Sequence, residues 1–264
     1  MIGAIIGDVV GSRFEFNNIK TKEFKLVDTD SCFTDDTVLT IAVMDWVSHA
    51  KNKHDKKEAV AFLQKWAQKY PYAGYGGMFY RWKDIPNPEP YNSCGNGSAM
   101  KISAVGWMCD NEEELKEMSS IITGVTHNHP EGIKGAEVTA MMILKARQGA
   151  TKEELREYAI SMYPEIENLD YEELRRTYVH GAEICQVTVP QAIYCFLISS
   201  DFEDCLRTTI SIGGDCDTTA AISCAIAEAF YNEIPGELVV EVKKKLTSEM
   251  LDIISDAERL YMMK

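Results

Sequence analysis

No two of the eight cysteines form a CxxC pair, so the chain lacks the usual spacing of a structural zinc site. Reduced, mostly buried thiols are therefore expected. Basic residues are scarce: 27 Lys+Arg against 41 Asp+Glu give a net charge of -14. Such a surface repels phosphate polymers and anionic bilayers, so neither nucleic acid nor membrane is expected as a partner. An anionic ligand has to be captured locally, by a metal or by helix N-termini. No apolar run reaches bilayer-spanning length. The opening MIGAIIGDVVGSRFEF has no basic leader and meets Asp8 early for a signal peptide, so a cytoplasmic location is expected. Strand alternation and hairpin signatures are too weak to build a sheet.

What the chain does have is helical periodicity. DDTVLTIAVMDWVSHA sets Val38, Leu39, Ala42, Val43 and Trp46 on one face, and KKEAVAFLQKWAQKY repeats the pattern with Ala59, Phe62, Leu63 and Trp66. NEEELKEMSSIITGV opens with acids suited to a helix N-terminus. KGAEVTAMMILKARQGA stops at Gly149, and TKEELREYAISMYP starts with a Thr151-x-x-Glu154 capping box. PQAIYCFLISS, DFEDCLRTTISI, DTTAAISCAIAEAFY and PGELVVEVKKKLTSEM complete the set. The expectation is an all-α fold, compact and multi-helical, with residues 1–264 as one domain and a monomer by default. Residues 71–97, PYAGYGGMFYRWKDIPNPEPYNSCGNG, break the pattern, and long irregular segments inside compact domains are usually functional.

Two acidic patches stand out. Thr34, Asp35 and Asp36 open one apolar helix, and Asp215, Asp217 and Thr218 open another. Either patch alone reads as a helix cap. One carboxylate at a helix N-terminus stabilises it by roughly 0.3–1 kcal/mol, but an adjacent second one repels the first. Four carboxylates in one pocket raise each other's pKa unless cations neutralise them. An all-oxygen ligand set matches Mg2+, Mn2+ or Ca2+ and not zinc. Four carboxylates can balance two divalent charges, which suggests a binuclear centre.

At these residues the chain resembles the ADP-ribosylglycohydrolase family, whose members include the glycohydrolase that activates dinitrogenase reductase and the ADP-ribosylserine hydrolases. Six stretches carry the resemblance in order: GDVVGSRFE at 7–15, FTDDT at 33–37, GYGG at 74–77, SCGNGSAMK at 93–101, THNHPEG at 126–132 and GGDCDTTAAI at 213–222. The resemblance implies an all-α hydrolase with two divalent cations, Mg2+ with Mn2+ as the substitute. It implies Thr34, Asp35, Asp36, Asp215, Asp217 and Thr218 as ligands. Glu15 becomes the carboxylate facing the scissile bond, with Asp36 as the rival base. Substrate contacts fall to Gly76, Gly77, Ser93, Gly95, Asn96, Gly97, Ser98, Met100 and His127. The implied partner is an ADP-ribosylated protein or a small ADP-ribose conjugate. Glycines in SCGNG let backbone N–H groups approach a diphosphate, with a following helix N-terminus favouring the anion.

The chain departs from the family pattern at three places. Cys94 stands where many relatives have an aromatic residue, leaving Tyr75, Phe79 or Tyr91 to stack on the substrate. Lys101 stands where arginine is common, turning a fork into a point charge. Cys224 and Glu228 replace glycines, which implies looser or shifted packing under the pocket. Two rival readings remain at this stage: a non-catalytic ADP-ribose-binding or immunity-type module, and a hydrolase of another phosphate-bearing nucleotide or glycoside.

Overall fold

Helix forms wherever the apolar spacing repeats at three and four residues. The computed structural model describes residues 1–179, 181 and 183–264. Among them are fourteen α-helices: α1 (Gly3–Gly11), α2 (Asp35–His49), α3 (Lys56–Lys69), α4 (Gly77–Trp82), α5 (Ser103–Met108), α6 (Glu112–Gly124), α7 (Pro130–Arg147), α8 (Lys152–Met162), α9 (Tyr171–Thr177), α10 (Cys185–Ile198), α11 (Phe202–Ile212), α12 (Cys216–Tyr231), α13 (Gly236–Lys243) and α14 (Ser248–Met262). The described residues contain no strand, and one isolated antiparallel bridge joins Gly95 to Ile184. The fold is all-α, as expected.

Local chemistry sets most helix ends. The Thr151–Glu154 capping box forms as read, and Gly149 closes α7 at φ +90°. Asn111, Asp201 and Thr247 cap α6, α11 and α14 through their side chains. Two boundaries differ from the sequence reading. Pro190 does not start α10; it lies inside the helix, five residues after Cys185. The backbone bond lost there is offset by burying Cys185 and Val189 on the same helix. The last predicted segment divides into α13 and α14, because Thr247 begins a new helix.

α12 is the axis of the molecule, buried continuously from Cys216 to Ala227. It packs against α1, α7, α10 and α11, with lighter contact to α2 and α5. α1 is hydrophobic and buried on all sides. Its glycines are four residues apart, at 3, 7 and 11, and line one face. A Cβ on Gly3 would strike the Cys224 carbonyl, one on Gly7 the Ala220 carbonyl, and one on Gly11 would lie 2.6 Å from the Asp217 Cα. The two helices therefore touch backbone to backbone. This overturns the expectation of loose packing at Cys224 and Glu228: the glycines that permit close approach are on α1. Glu228 adds a cap, its carboxylate accepting the Ile2 and Gly3 N–H groups at 2.9 and 2.8 Å.

Candidate functional site

The close α1–α12 contact brings the end of α1 against the start of α12, and α2 begins beside it. The two acidic patches, 182 residues apart at their contact, meet there. The Thr218 hydroxyl donates to Asp36 Oδ2 at 3.1 Å. Asp36 Oδ2 also lies 3.5 Å from the Thr34 hydroxyl. Carboxylate oxygens of Glu15, Asp215 and Asp217 lie within 4.8 Å of one another. Gly213 and Gly214, at φ +81° and +71°, make the left-handed turn that delivers Asp215 and Asp217 to this point.

Burial and mutual repulsion dominate the electrostatics. Burial, then the charges of Asp8, Asp215 and Glu15, pushes Asp35 up to about 8. Asp36 is raised well above the carboxylate range by burial and by Asp8, Asp35 and Asp215. Asp217 is raised likewise by burial, Asp215 and Asp36. Asp36 Oδ1 is buried with no hydrogen-bond partner among the described residues. An orphaned buried oxygen amid crowded carboxylates fits a missing cation, and the all-oxygen donor set suits hard divalent ions. The plain cap reading also holds in part: the Thr34 side chain accepts the Asp36 N–H as N-cap of α2.

Above the acids opens a cavity of about 620 Å³. Of the residues expected to hold metal, catalyse or touch substrate, all but Ser98 line it. Ser98 is fully buried, its hydroxyl 3.3 Å from the Gly95 carbonyl and 3.0 Å from Cys185 Sγ, so it braces the glycine loop from inside. Asn96 lines the wall but is already engaged: its amide donates to Asp215 Oδ2 at 2.6 Å and to the Thr188 hydroxyl at 3.1 Å. No α-helix follows the glycine loop directly. A single 3-10 turn spans Asn96–Ser98 and α5 starts at Ser103, so loop N–H groups, not a helix end, are what this wall offers an anion. The two histidines divide their work. His129 caps α7, while buried His127 turns Nε2 toward Gly95 and Gly97. Burial, then Lys101, holds His127 well below its usual pKa, so its ring is neutral.

The ADP-ribosylglycohydrolase family model matches residues 1–264. The chain belongs to the ADP-ribosylglycohydrolase family. The mouse protein "ADP-ribosylhydrolase ARH3" is 28% identical over an alignment 308 positions long, covering 88% of this chain and 82% of the relative. The "ADP-ribosyl-[dinitrogen reductase] glycohydrolase" of Rhodospirillum rubrum is 24% identical over 62% of this chain and 55% of its own. A solved "ADP-ribosylglycohydrolase-related protein complex" superposes with a TM-score of 0.74 at 23% identity, covering 99% of this chain and 95% of that one, a likeness of fold. As a member of the family the chain is a glycosyl-bond hydrolase.

Set in the ADP-ribosylglycohydrolase fold, the departures have clear places. Lys101 does not face the cavity. It is fully buried, its Nζ donating to the Gly97 carbonyl at 2.5 Å, so the ammonium holds the glycine loop from behind. Burial brings it down to about 8. Cys94 is half-buried outside the cavity wall, and its carbonyl accepts the Cys185 N–H at 2.9 Å. Of the aromatics named to replace it, Phe79 and Tyr91 line the cavity and Tyr75 does not. Tyr91 stands edge-on to His127, ring centroids 5.8 Å apart.

Two residues were not singled out from the sequence. Asp8 is fully buried and accepts four hydrogen bonds: from Thr34 N–H at 2.9 Å, Thr34 hydroxyl at 2.7 Å, Thr37 N–H at 3.0 Å and Thr37 hydroxyl at 2.5 Å. With its proton turned to Asp8, the Thr34 hydroxyl presents lone pairs to the acidic centre. The signal was available, since a carboxylate inside the apolar run IIGDVVG has to be buried and partnered. Asn18 exchanges hydrogen bonds with Gly214 at 2.7 and 2.9 Å and donates to the Phe14 and Glu15 carbonyls at 2.7 and 3.0 Å. It ties the Glu15 segment to the start of α12, and no local sequence pattern marks it.

Proposed function

We propose that this protein removes ADP-ribose from a modified side chain or small acceptor, using a binuclear divalent-metal centre of the Mg2+ type. The observation that carries the reading is the Thr218–Asp36 hydrogen bond, which unites two acid-and-hydroxyl patches at the floor of one cavity. Thr34, Asp35, Asp36, Asp215, Asp217 and Thr218 would hold the cations. When bound, such ions would neutralise the gathered carboxylates and supply Lewis-acid attraction for the hydroxyls of the distal ribose.

The protein's own groups perform the remaining steps. The cavity walls hold the ribose and limit its orientations, which lowers the entropic part of the barrier. The glycosidic bond breaks at the anomeric carbon through a cation-like transition state, and the surrounding carboxylates favour that positive charge. Glu15, half-buried at the cavity edge, accepts the proton of the water that forms the new C–O bond, and that proton is returned to the acceptor as it departs. Asp36 is the weaker candidate for that base, because its Oδ2 is engaged by Thr218. The acceptor is a protein side chain or a small molecule.

The test is release of free ADP-ribose from arginine-linked and serine-linked substrates, with and without Mg2+. Metal-dependent release from either supports the proposal, and no release from any ADP-ribosyl conjugate ends it. Glu15→Gln should retain ADP-ribose binding and lower kcat by about 10²-fold or more. Full turnover in that variant would remove Glu15 from the reaction.

A further inference from the structure

The cavity wall carries an arginine whose charge nothing in the fold uses. Eight arginines occur in the chain. Seven have a carboxylate partner within 4.0 Å: Arg13, Arg147, Arg156, Arg175, Arg176, Arg207 and Arg259. Arg81, on α4, has no hydrogen bond or ion pair among the described residues, although acids outnumber bases by 14. Its side chain is exposed and lines the cavity, where it is the one permanent cation among the described lining residues. Six carboxylates line the same space: Glu15, Asp35, Asp36, Glu183, Asp215 and Asp217.

That imbalance bears on any anionic substrate. Two divalent cations would offset four of the six carboxylates, leaving a residual negative potential toward an approaching diphosphate. A guanidinium is the side chain best shaped to reverse it, since its fork matches two phosphate oxygens at once. Arg81 stands on the same wall as the acids. A Cβ direction at Gly74 points to Asp35 Oδ1 at 3.3 Å, and one at Gly77 points to Arg81 Nη1 at 4.0 Å. Two residues separate these glycines, so their Cα atoms lie at most about 11 Å apart and the acid and the guanidinium belong to the same stretch of wall. A Cβ at Gly76 would meet nothing within 4 Å, so the wall is open there.

We infer that Arg81 is the charge partner of the ADP-ribose diphosphate and a specificity-determining residue that discriminates nucleotide-linked from neutral ribosides. The inference rests on the reading above that the cavity takes ADP-ribose. The experiment is calorimetric titration of ADP-ribose into the full-length, Mn2+-loaded protein, comparing wild type with Arg81→Ala, Arg81→Gln and Arg81→Lys. The neutral variants should bind about 10- to 100-fold more weakly, with Arg81→Lys in between. Their affinity should fall less steeply with added salt than that of the wild type. Mn2+ affinity and melting temperature should stay at wild-type values, because the side chain supports no contact. Wild-type affinity for ADP-ribose in Arg81→Ala overturns the inference and leaves the hydrolase reading intact. So does weakening confined to a modified-protein substrate, which would assign Arg81 to the acceptor. Loss of Mn2+ binding in both neutral variants overturns it by making the residue structural. Absence of ADP-ribose binding by the wild type removes the proposed function itself, and the inference with it.

Discussion

Stripping divalent metal should make this protein less stable as the pH rises. Asp35 is carried from 3.8 to about 8, first by burial and then by the charges of Asp8, Asp215 and Glu15. Asp36 and Asp217 move in the same direction. The folded-state pKa lies above the unfolded one, so between about pH 4 and 8 the metal-free native chain holds protons that the unfolded chain has released. Stability therefore falls as pH rises through that window. Each unit by which the group of interacting carboxylates is raised costs about 1.36 kcal/mol at the high-pH end of the window, shared among Asp35, Asp36 and Asp217. Cations take the place of those protons, so their affinity climbs over the same range. At a concentration 100-fold above Kd they add about 2.7 kcal/mol, or a rise in Tm of about 5–10 °C for a domain of this size. The assay is thermal melting of chelator-treated protein from pH 5 to 9, with and without Mg2+ or Mn2+. The gap between the two curves should widen toward pH 8. A Tm indifferent to both metals at pH 8, or a gap that stays constant with pH, refutes the argument that these carboxylates are held together for cations.

Two further substitutions probe what lies beneath the site. Gly7→Ala puts a methyl group into the Ala220 carbonyl, so α1 and α12 must separate; unfolding should cost about 1–3 kcal/mol less, read by urea titration, with Mn2+ affinity falling alongside. An unchanged midpoint would mean that the helices do not touch. Asp8→Ala removes the acceptor of four hydrogen bonds, two of them from buried Thr37, and frees the Thr34 hydroxyl to rotate; calorimetry should show at least tenfold weaker Mn2+ binding, partly restored in Asp8→Asn. Wild-type Mn2+ affinity in Asp8→Ala would confine Asp8 to capping α2.

Amphipathic helices were legible because one face of each meets solvent. α3, α6 and α8 show their period plainly, and their caps are written in Asp55, Asn111 and Thr151. α1 was not legible as a helix. It is only nine residues long, and its three glycines lower intrinsic helix propensity. α4 and α5, six residues each, are too short for periodicity and are held by packing. The same division runs through the site. The acids and hydroxyls of the two patches could be read because so much like charge at two helix starts is costly without a purpose. The orientation of Lys101 and Ser98 could not be read. Each lies in a motif where neighbours face the cavity, and whether a side chain in a tight loop points inward or outward depends on the backbone path. Arg81 escaped notice for the opposite reason: a lone exposed arginine is ordinary in sequence, and its meaning appears when its seven counterparts are seen to be paired.

Stability and site precision are linked through one helix pair. Bringing Asp35, Asp36, Asp215 and Asp217 together opposes folding, since each loses water and meets like charge. What holds them is the α1–α12 contact, where three glycines on one helix face let the backbones meet and leave little freedom to slide. Asp8 lies on that same helix, one residue beyond Gly7, and transmits the position of α1 to the N-terminus of α2 through four hydrogen bonds. A shift of α1 along α12 would therefore change the separation of the two acidic patches directly. It follows that side-chain volume at positions 3, 7 and 11 should govern metal affinity more strongly than volume at exposed positions nearer the cavity, such as Met78.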